Sequence, residues 1–343
     1  MDQSTLKAKL KSGELGGWYI FSGEEDYLKK YYLSSIRNQL LPPDDPFEIF
    51  NHASFDGAEP DFGAMKEAIK SPPMMAEYKL VEWRFAPLDN LKELEKNLLC
   101  ELCSLKEECP YTVFAIMTTA DGFDTGTDKK PRPLAKKLSE AFDIVDFGKS
   151  TEAQLISWLG RHFYAEGIRV DQMTLSAMLF RCGRSMEVLS LEVKKLSGYA
   201  KANGMDSIDV ATVNEVTSST PECDAFALSG AIIERNTEKA FFALSDLKSR
   251  RVEPLVIVSM LERTYSELLN IALLCEDGKS PQDIEKLMRM HRYRVTLYIK
   301  AAKQAGKERL LQALSTLQRI DSYAKSGTGL GFGPVEIFIT QNI

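Results

Sequence analysis

The chain has 343 residues, 44% of them hydrophobic and 27% charged, and its formal net charge at pH 7 is -6. These values are ordinary for a globular protein of two or three domains, and the negative charge argues against a protein that coats nucleic acid through its overall charge. The sequence shows neither a basic start followed by an apolar run nor an uncharged apolar stretch of about 18 residues. We therefore expect a cytoplasmic protein that does not span a membrane.

The first 148 residues alternate between strand-like and helix-like segments. Short runs rich in β-branched and aromatic residues predict strands over residues 17–21, 47–50, 80–83, 111–117 and 144–147. Amphipathic periodicity predicts helices over residues 27–36, 61–70, 88–105 and 133–142. On the first helix, the predicted inner face consists of Tyr27, Leu28, Tyr31, Tyr32 and Ile36. Such alternation is typical of a mostly parallel sheet covered by helices on both faces.

From Thr151 onward the periodicity is that of helices alone. The polar segment 198–207 predicts a loop, and Thr217-Ser218-Ser219-Thr220-Pro221 is the best linker candidate. The glycine-rich segment 327–333 predicts a loop rather than a phosphate cradle, because no strand precedes it. We predict an α/β domain over residues 1–148, a small helical domain over residues 149–217 and a second helical domain over residues 218–343.

The segment that joins the predicted helix 61–70 to the strand 80–83 contains an unusual corner. The helical pattern stops at Pro72 and Pro73, and Met74 and Met75 follow before the strand. Proline fixes φ and disfavours helix in the preceding residue, so the prolines would hold the methionines on a stiff spur that loses little entropy on docking. Two interpretations stay open: a peg for a partner's pocket, or an inward cap of a local core, since methionine is a common gap-filler.

The turn after the first strand is where the phosphate-binding loop of a nucleotide hydrolase would lie. That loop needs glycines, a lysine for the β- and γ-phosphates and a Ser or Thr for magnesium. Here Gly23 is followed by Glu24-Glu25-Asp26, and these acids would repel a triphosphate. The end of the third strand, Val81-Glu82-Trp83-Arg84, lacks the acidic pair that would hold magnesium. The sequence therefore predicts no nucleotide turnover and no cofactor.

The cysteines and histidines form no recognisable metal or catalytic motif. Cys100, Cys103 and Cys109 are closely spaced, but the three histidines lie far from them in sequence and no second cysteine pair follows. The first two cysteines fall on the apolar side of a leucine-rich helix, so we assign the cluster to a helix core. We predict neither a metal site nor catalytic residues.

Several segments, in this order and spacing, resemble the family of delta subunits of the bacterial DNA polymerase III clamp loader, non-ATPase members of the AAA+ superfamily. The resemblance covers nearly the whole chain. It rests on Tyr19-Ile20-Phe21-Ser22-Gly23-Glu24-Glu25-Asp26-Tyr27-Leu28, Pro73-Met74-Met75-Ala76-Glu77-Tyr78-Lys79-Leu80-Val81, and residues 189–196, 268–284, 291–295 and 321–327. It implies an AAA+-like parallel-sheet domain with a degenerate phosphate-binding loop, a helical lid, and an all-helical collar through which subunits assemble.

The resemblance also implies partners and contact residues. Family members insert two adjacent hydrophobic side chains into a pocket of the beta sliding clamp and open the ring. The matching positions here are Met74 and Met75, which follow Pro72 and Pro73. The other implied partners are the tau/gamma and delta-prime subunits and primer-template DNA. The basic residues that we assign to DNA on this basis are Arg292, Arg294, Lys300 and Lys325, each with a solvated helix face as the alternative.

Such a subunit is not an enzyme on its own. The resemblance places it in a DNA-directed DNA polymerase holoenzyme, a nucleotidyltransferase complex of the cytoplasmic, nucleoid-associated replisome, with ATP bound by the tau/gamma subunits. The alternative function is that of a divergent ATPase of the same AAA+ fold, acting on DNA or protein complexes.

Overall fold

The computed structural model describes residues 1–41, 46–127, 130–328 and 331–343. These residues divide into two compact units, Met1–Ser150 and Thr151–Ile343. The first unit is built from strands and helices and the second almost entirely from helices, so the predicted fold class, α/β followed by all-α, is confirmed. The predicted division between residues 217 and 218, inside the second unit, stays a prediction.

Strands and helices alternate through the first unit. The strands are β1 (Trp18–Ser22), β2 (His52–Asp56), β3 (Lys79–Ala86), β4 (Thr112–Thr118), β5 (Gly126–Thr127), β6 (Lys130–Pro131) and β7 (Asp143–Asp146). The helices are α1 (Gln3–Ser12), α2 (Asp26–Leu40), α3 (Glu48–Asn51), α4 (Phe62–Lys70), α5 (Glu93–Leu102), α6 (Leu105–Glu108) and α7 (Pro133–Leu138), with a 3-10 turn at Leu88–Asn90. The helix predicted over residues 88–105 is thus split, and the one predicted over 133–142 is shorter.

The main sheet of the first unit is parallel. Within the described residues its order is β2-β3-β4-β1-β7. Both β1 and β4 are buried along their whole length, and alternate side chains enter opposite cores, with Trp18 on one side and Tyr19 on the other. Because the strands run in the same direction, their amino ends share one edge of the sheet and their carboxyl ends share the opposite edge.

The second strand does not lie where the sequence predicts it. Residues 48–51 form the one-turn helix α3, and β2 begins only at His52. β2 is an edge strand that pairs with β3 alone and is only partly buried. An edge strand needs few apolar residues, so the apolar run over residues 47–50 was a misleading signal for it.

Helix α2 packs against the sheet with a face that was predicted only in part. Lys29, Leu33 and Ile36 are its buried residues, whereas Tyr31 is 56% exposed. Of the five predicted inner-face residues, Ile36 is buried, and Leu28 and Tyr32 are partly buried against the same core. The periodicity did not predict the burial of Lys29, because a lysine is rarely buried unless its ammonium group is paired.

The second unit consists of helices connected by short loops. They are α8 (Glu152–Ala165), α9 (Gln172–Cys182), α10 (Met186–Ala202), α11 (Val210–Val216), α12 (Pro221–Ile233), α13 (Thr237–Ser249), α14 (Pro254–Glu276), α15 (Pro281–Met288), α16 (Arg292–Ala305), α17 (Lys307–Tyr323) and α18 (Gly333–Asn342), with a π-helical turn at Ala324–Thr328. Two short parallel strands, β8 (Arg169–Val170) and β9 (Ser207–Ile208), were not predicted. Among the described residues, no helix is both long and apolar enough to cross a membrane.

Two predicted loops of the second unit need correction. Helix α10 continues through Gly198 to Ala202, so the first part of the predicted loop 198–207 is helical. Ala200 is fully buried, and this packing outweighs the low helix propensity of glycine. In the glycine-rich segment 327–333, the first two residues belong to the π-helical turn, and residues 329 and 330 lie outside the described part of the chain.

The predicted linker is tied to its neighbours. The Arg181 side chain donates to the Thr217 carbonyl and hydroxyl oxygens at 3.0–3.2 Å, and the Thr220 amide donates to the Arg181 carbonyl at 2.8 Å. Thr220 also caps α12 through its side chain. The helices after it, α12 to α18, enclose one continuous hydrophobic core.

Candidate functional site

The residues between α4 and β3, residues 71–78, form a short segment that we call the spur. Its base is fixed, because the carbonyls of residues 67–70 at the end of α4 all accept hydrogen bonds. The Ser71 amide donates to the carbonyl of residue 67 at 3.0 Å, and the Ser71 hydroxyl donates to that of residue 68 at 3.2 Å. The Thr112 hydroxyl donates to the carbonyl of residue 69 at 2.8 Å, and the Tyr111 hydroxyl donates to that of residue 70 at 2.7 Å. Such end carbonyls have no partner within the helix, so these contacts stabilise the point where the spur begins.

The middle of the spur is held by one buried side chain. Asn51, the last residue of α3, is fully buried. Its side-chain oxygen accepts from the Met74 amide at 2.7 Å, and its side-chain nitrogen donates to the Met74 carbonyl at 2.9 Å. Both backbone polar groups of Met74 are therefore satisfied by a single amide group, which fixes the position of the spur against α3.

The two methionines at the tip face solvent. Met74 is 43% exposed and Met75 is 86% exposed, and Met75 has φ 55°. A positive φ is unfavourable for a side chain of this size and is maintained only where the surrounding structure imposes it. Pro72 is exposed and Pro73 is half-buried. The interpretation that both methionines cap a local core is therefore wrong, and the spur presents them outward.

The turn after β1 lies against the end of β7. Gly23 has φ 96°, and a Cβ added there would lie 2.4 Å from the Phe147 carbonyl oxygen. The Glu25 amide donates to the same oxygen at 2.9 Å. Burial raises the pKa of the Glu25 carboxyl. A phosphate-binding loop would direct its amide groups to the ligand, whereas here this amide donates to the carbonyl of Phe147, the residue after β7.

Lys29 is buried just behind this turn, with no exposed surface. Its ammonium group donates to the Gly23 carbonyl at 2.7 Å and to the Thr118 carbonyl at 2.8 Å, and it forms an ion pair with Asp26 at 2.8 Å. An ammonium group has three N–H donors, so these partners match its full donor capacity. The lysine nearest the turn thus joins the carboxyl ends of β1 and β4 and is not available to a phosphate.

A basic side chain, Arg84, lies near the carboxyl end of β3, where a magnesium site would need acidic side chains. Arg84 forms a bidentate ion pair with Asp56, the last residue of β2, with both N–O distances at 2.8 Å. Glu82 points into the core, where it binds Arg37 in the same bidentate way at 2.6 and 2.9 Å. Although burial opposes the charged form, the neighbouring His52 and Arg37 side chains lower the pKa of Glu82. Both carboxylates are committed to protein partners.

In comparisons with known proteins, most of the chain is similar to DNA polymerase III delta subunits. Residues 222–342 match the family model of the DNA polymerase III delta subunit, C-terminal domain. DNA polymerase III subunit delta of Bacillus subtilis (strain 168) is 22% identical over 336 residues, which cover 97% of this chain and 94% of the relative. The probable DNA polymerase III subunit delta of Aquifex aeolicus (strain VF5) is 24% identical over 322 residues, or 90% and 85% of the two chains. Along most of its length the chain is thus similar to DNA polymerase III delta subunits, and its residues 222–342 match their C-terminal domain.

The fold of the chain is similar to that of a solved structure, the Bacillus subtilis DNA clamp loader delta protein. The two chains are 20% identical, the alignment covers 99% of this chain and 98% of the other, and the TM-score is 0.56. This likeness concerns the fold. Together with the parallel sheet of the first unit, it confirms the predicted fold class, a parallel-sheet domain followed by helices.

Among the basic residues that we assigned to DNA, Arg294 is bound to other side chains of the second unit. Its guanidinium group donates to Glu267 at 2.6 Å and to the Tyr298 hydroxyl at 3.0 Å. It also lies over the rings of Tyr298 and Phe180, at 4.9 and 5.9 Å from their centroids. We therefore do not retain Arg294 as a DNA contact.

The other three basic residues lie on the surface. Arg292 and Lys300 are exposed and eight residues apart on α16, where Thr296 and Lys303 are exposed as well, so these residues share one helix face. Lys325 is also exposed and forms an ion pair with Asp321 at 2.6 Å. Their contact with DNA stays a prediction.

The roles of two important residues of the first unit were not predicted from the sequence. Asn51 lies in a segment predicted to begin a strand, and nothing in its sequence neighbourhood indicates a bond to Met74, 23 residues away. Lys29 follows Gly23 by six residues, which is close to the spacing of a phosphate-binding lysine. That spacing was the one signal that this lysine could approach the turn.

Proposed function

We propose that the chain acts as the delta subunit of a DNA polymerase III clamp loader, where Met74 and Met75 bind the beta sliding clamp and help to open it. The observation that carries this proposal is a pair of adjacent exposed methionines on a spur whose base and middle are hydrogen-bonded. Pro72 and Pro73 add stiffness, so little entropy is lost when the pair docks. The family supplies the expected partner.

The expected energies indicate that two side chains are not enough by themselves. Burial of a methionine stabilises by about 1.5–3 kcal/mol, whereas association costs about 4–15 kcal/mol of lost freedom. Further contacts must therefore contribute. Opening the ring requires in addition that the chain bind the open form more tightly than the closed form, because equal affinity shifts no equilibrium.

A binding experiment with the sliding clamp of the same organism tests this function. We expect the purified chain to bind the immobilised clamp in surface plasmon resonance, with no binding to a reference protein of similar net charge. A clamp that fails to bind the folded chain would contradict the proposal.

Within the loader we assign the chain a structural role. The tau/gamma subunits would bind ATP, and the delta-prime subunit would complete the complex around primer-template DNA. Residues from about 218 onward, which include the segment 222–342 matched by the family model, would form the collar in which the subunits meet. The complex would work in the cytoplasm at the replisome.

We expect the isolated chain neither to bind nor to hydrolyse ATP. Lys29 is occupied by protein oxygens, Arg84 stands at the carboxyl end of β3, and Gly23 packs against Phe147. Isothermal titration calorimetry with ATP and Mg²⁺ should show only the heat of dilution, with a tau/gamma preparation as the positive control. Saturable binding would instead favour the alternative function, a divergent ATPase of the same fold.

We also expect the exposed face of α16 to contribute to DNA binding in the assembled loader. Replacing Arg292 and Lys300 by alanine should weaken binding of primer-template DNA, and the slope of log K against log salt should fall by about one for each phosphate contact that is lost. Lys325→Ala tests the third residue separately. Lys239→Ala, an exposed lysine on α13, is the control. An unchanged salt slope would show that the α16 face is only solvated.

A further inference from the structure

Helix α3 exposes two large apolar side chains beside the spur. Ile49 is 80% exposed and Phe50 is 57% exposed. The sequence predicts a strand here because these residues are apolar, yet the structure buries neither of them in the sheet. Contiguous exposed apolar side chains are uncommon on a monomer and indicate a surface that a partner covers.

The topology of the sheet brings α3 and the spur together. α3 directly precedes β2, and the spur directly precedes β3. These strands are parallel neighbours, with His52 paired to Leu80, so the segments that precede them emerge at the same edge of the sheet. The edge that carries Lys29 and Arg84 is the opposite one, where the strands end.

Asn51 then joins the two segments directly. It follows Phe50 in the chain, and its side-chain amide forms both hydrogen bonds with the Met74 backbone, at 2.7 and 2.9 Å. The exposed pair on α3 is therefore held in a fixed relation to the exposed pair on the spur. The four side chains Ile49, Phe50, Met74 and Met75 thus lie on two segments at the same edge of the sheet, and the buried Asn51 side chain connects these segments.

We propose that Ile49 and Phe50 form a second pair of contacts to the sliding clamp, continuous with Met74 and Met75, and that Asn51 positions the two pairs relative to each other. This inference rests on the proposed function. The clamp is the occupant because Asn51 holds this pair beside the segment whose methionines we assign to the clamp, and because the methionine pair alone leaves a shortfall in binding free energy.

The experiment measures clamp binding by a double variant of each exposed pair, Ile49 with Phe50 and Met74 with Met75. Ile49→Ala with Phe50→Ala should weaken the affinity of the full chain about tenfold or more, because each substitution removes most of the apolar surface that the side chain would bury on docking. Leu94→Ala on α5, a residue that is 71% exposed in the same unit, is the matched control and should change the affinity less than twofold. Circular dichroism and the thermal midpoint should be unchanged for all variants, since the replaced side chains are exposed.

The outcomes distinguish the inference from the proposed function. If the Ile49 and Phe50 variant binds normally while a Met74 and Met75 variant does not, the inference is overturned and the proposed function stands. If neither variant differs from the unmodified chain in its clamp binding, the proposed function itself fails. A loss equal to that of Leu94→Ala also overturns the inference.

A graded pair of substitutions tests the positioning role of Asn51. Asn51→Asp keeps an acceptor for the Met74 amide but loses the donor to its carbonyl, and Asn51→Leu loses both. We expect clamp affinity to fall in that order, and the Met74 amide to exchange with deuterium fastest in Asn51→Leu. Faster exchange with unchanged affinity, or lower affinity with unchanged exchange, would refute the role.

Discussion

The Met74→Ala, Met75→Ala double variant should lose at least about 100-fold in affinity for the sliding clamp. Each methionine that becomes buried contributes about 1.5–3 kcal/mol, so removing both should cost about 3 kcal/mol or more. The fold should be unaffected, because Met74 and Met75 are 43% and 86% exposed and no core side chain is replaced. Surface plasmon resonance against the immobilised clamp measures the effect, and dissociation should account for most of it.

Met173→Ala provides a matched control for this variant. Met173 is 59% exposed on α9, in the second unit, so its replacement removes a similar side chain from a surface that the proposal does not use. Its affinity should stay within twofold of the unmodified chain. Equal losses in both variants, or no loss in either, would contradict the assignment of the spur to the clamp.

The second large effect is expected at Lys29. Lys29→Met fills a similar volume but leaves the Gly23 and Thr118 carbonyls and the Asp26 carboxylate without the ammonium group that binds them. A buried acceptor that loses its partner costs about 1–3 kcal/mol, so the free energy of unfolding of the first unit should fall by about 2–5 kcal/mol. Urea denaturation at pH 7 should show a lower midpoint.

The tryptophans allow this unfolding to be followed in the first unit alone. Two of the three, Trp18 and Trp83, are buried in its core, and the third, Trp158, lies in the second unit. In a Trp158→Phe background, fluorescence therefore reports the first unit. Lys30→Met is the control, because Lys30 is exposed on the same helix and its replacement should change the stability by less than about 0.5 kcal/mol. An unchanged midpoint for Lys29→Met would show that the buried ammonium group is not stabilising.

The strands with the clearest sequence signal were those buried on both faces. The sequences of β1 and β4 are nearly continuous apolar runs, because helices cover the sheet on each side. Both strands were predicted within two residues of their observed bounds. β2 gave no such signal, because it pairs on one side only and none of its five residues is fully buried. The apolar residues that precede it were assigned to the strand, although they belong to an exposed helical turn.

The candidate site was predicted only in part, for a related reason. Paired prolines and paired methionines are visible in the sequence, and they marked the spur. Whether the methionines pointed inward or outward depends on what surrounds them, and spacing along the chain carries no information about that. Asn51 and the α3 residues come from a different segment and meet the spur only because β2 and β3 are neighbours.

The sequence by itself determined the alternation of strands and helices, the mostly helical second half and the missing phosphate-binding motif, because these depend on local periodicity and on residue types at fixed spacing. The tertiary structure alone decided the exposure of Met74 and Met75, the bond from Asn51 and the burial of Lys29. Each of these depends on groups distant in sequence, and the order of strands in the sheet brings those groups together.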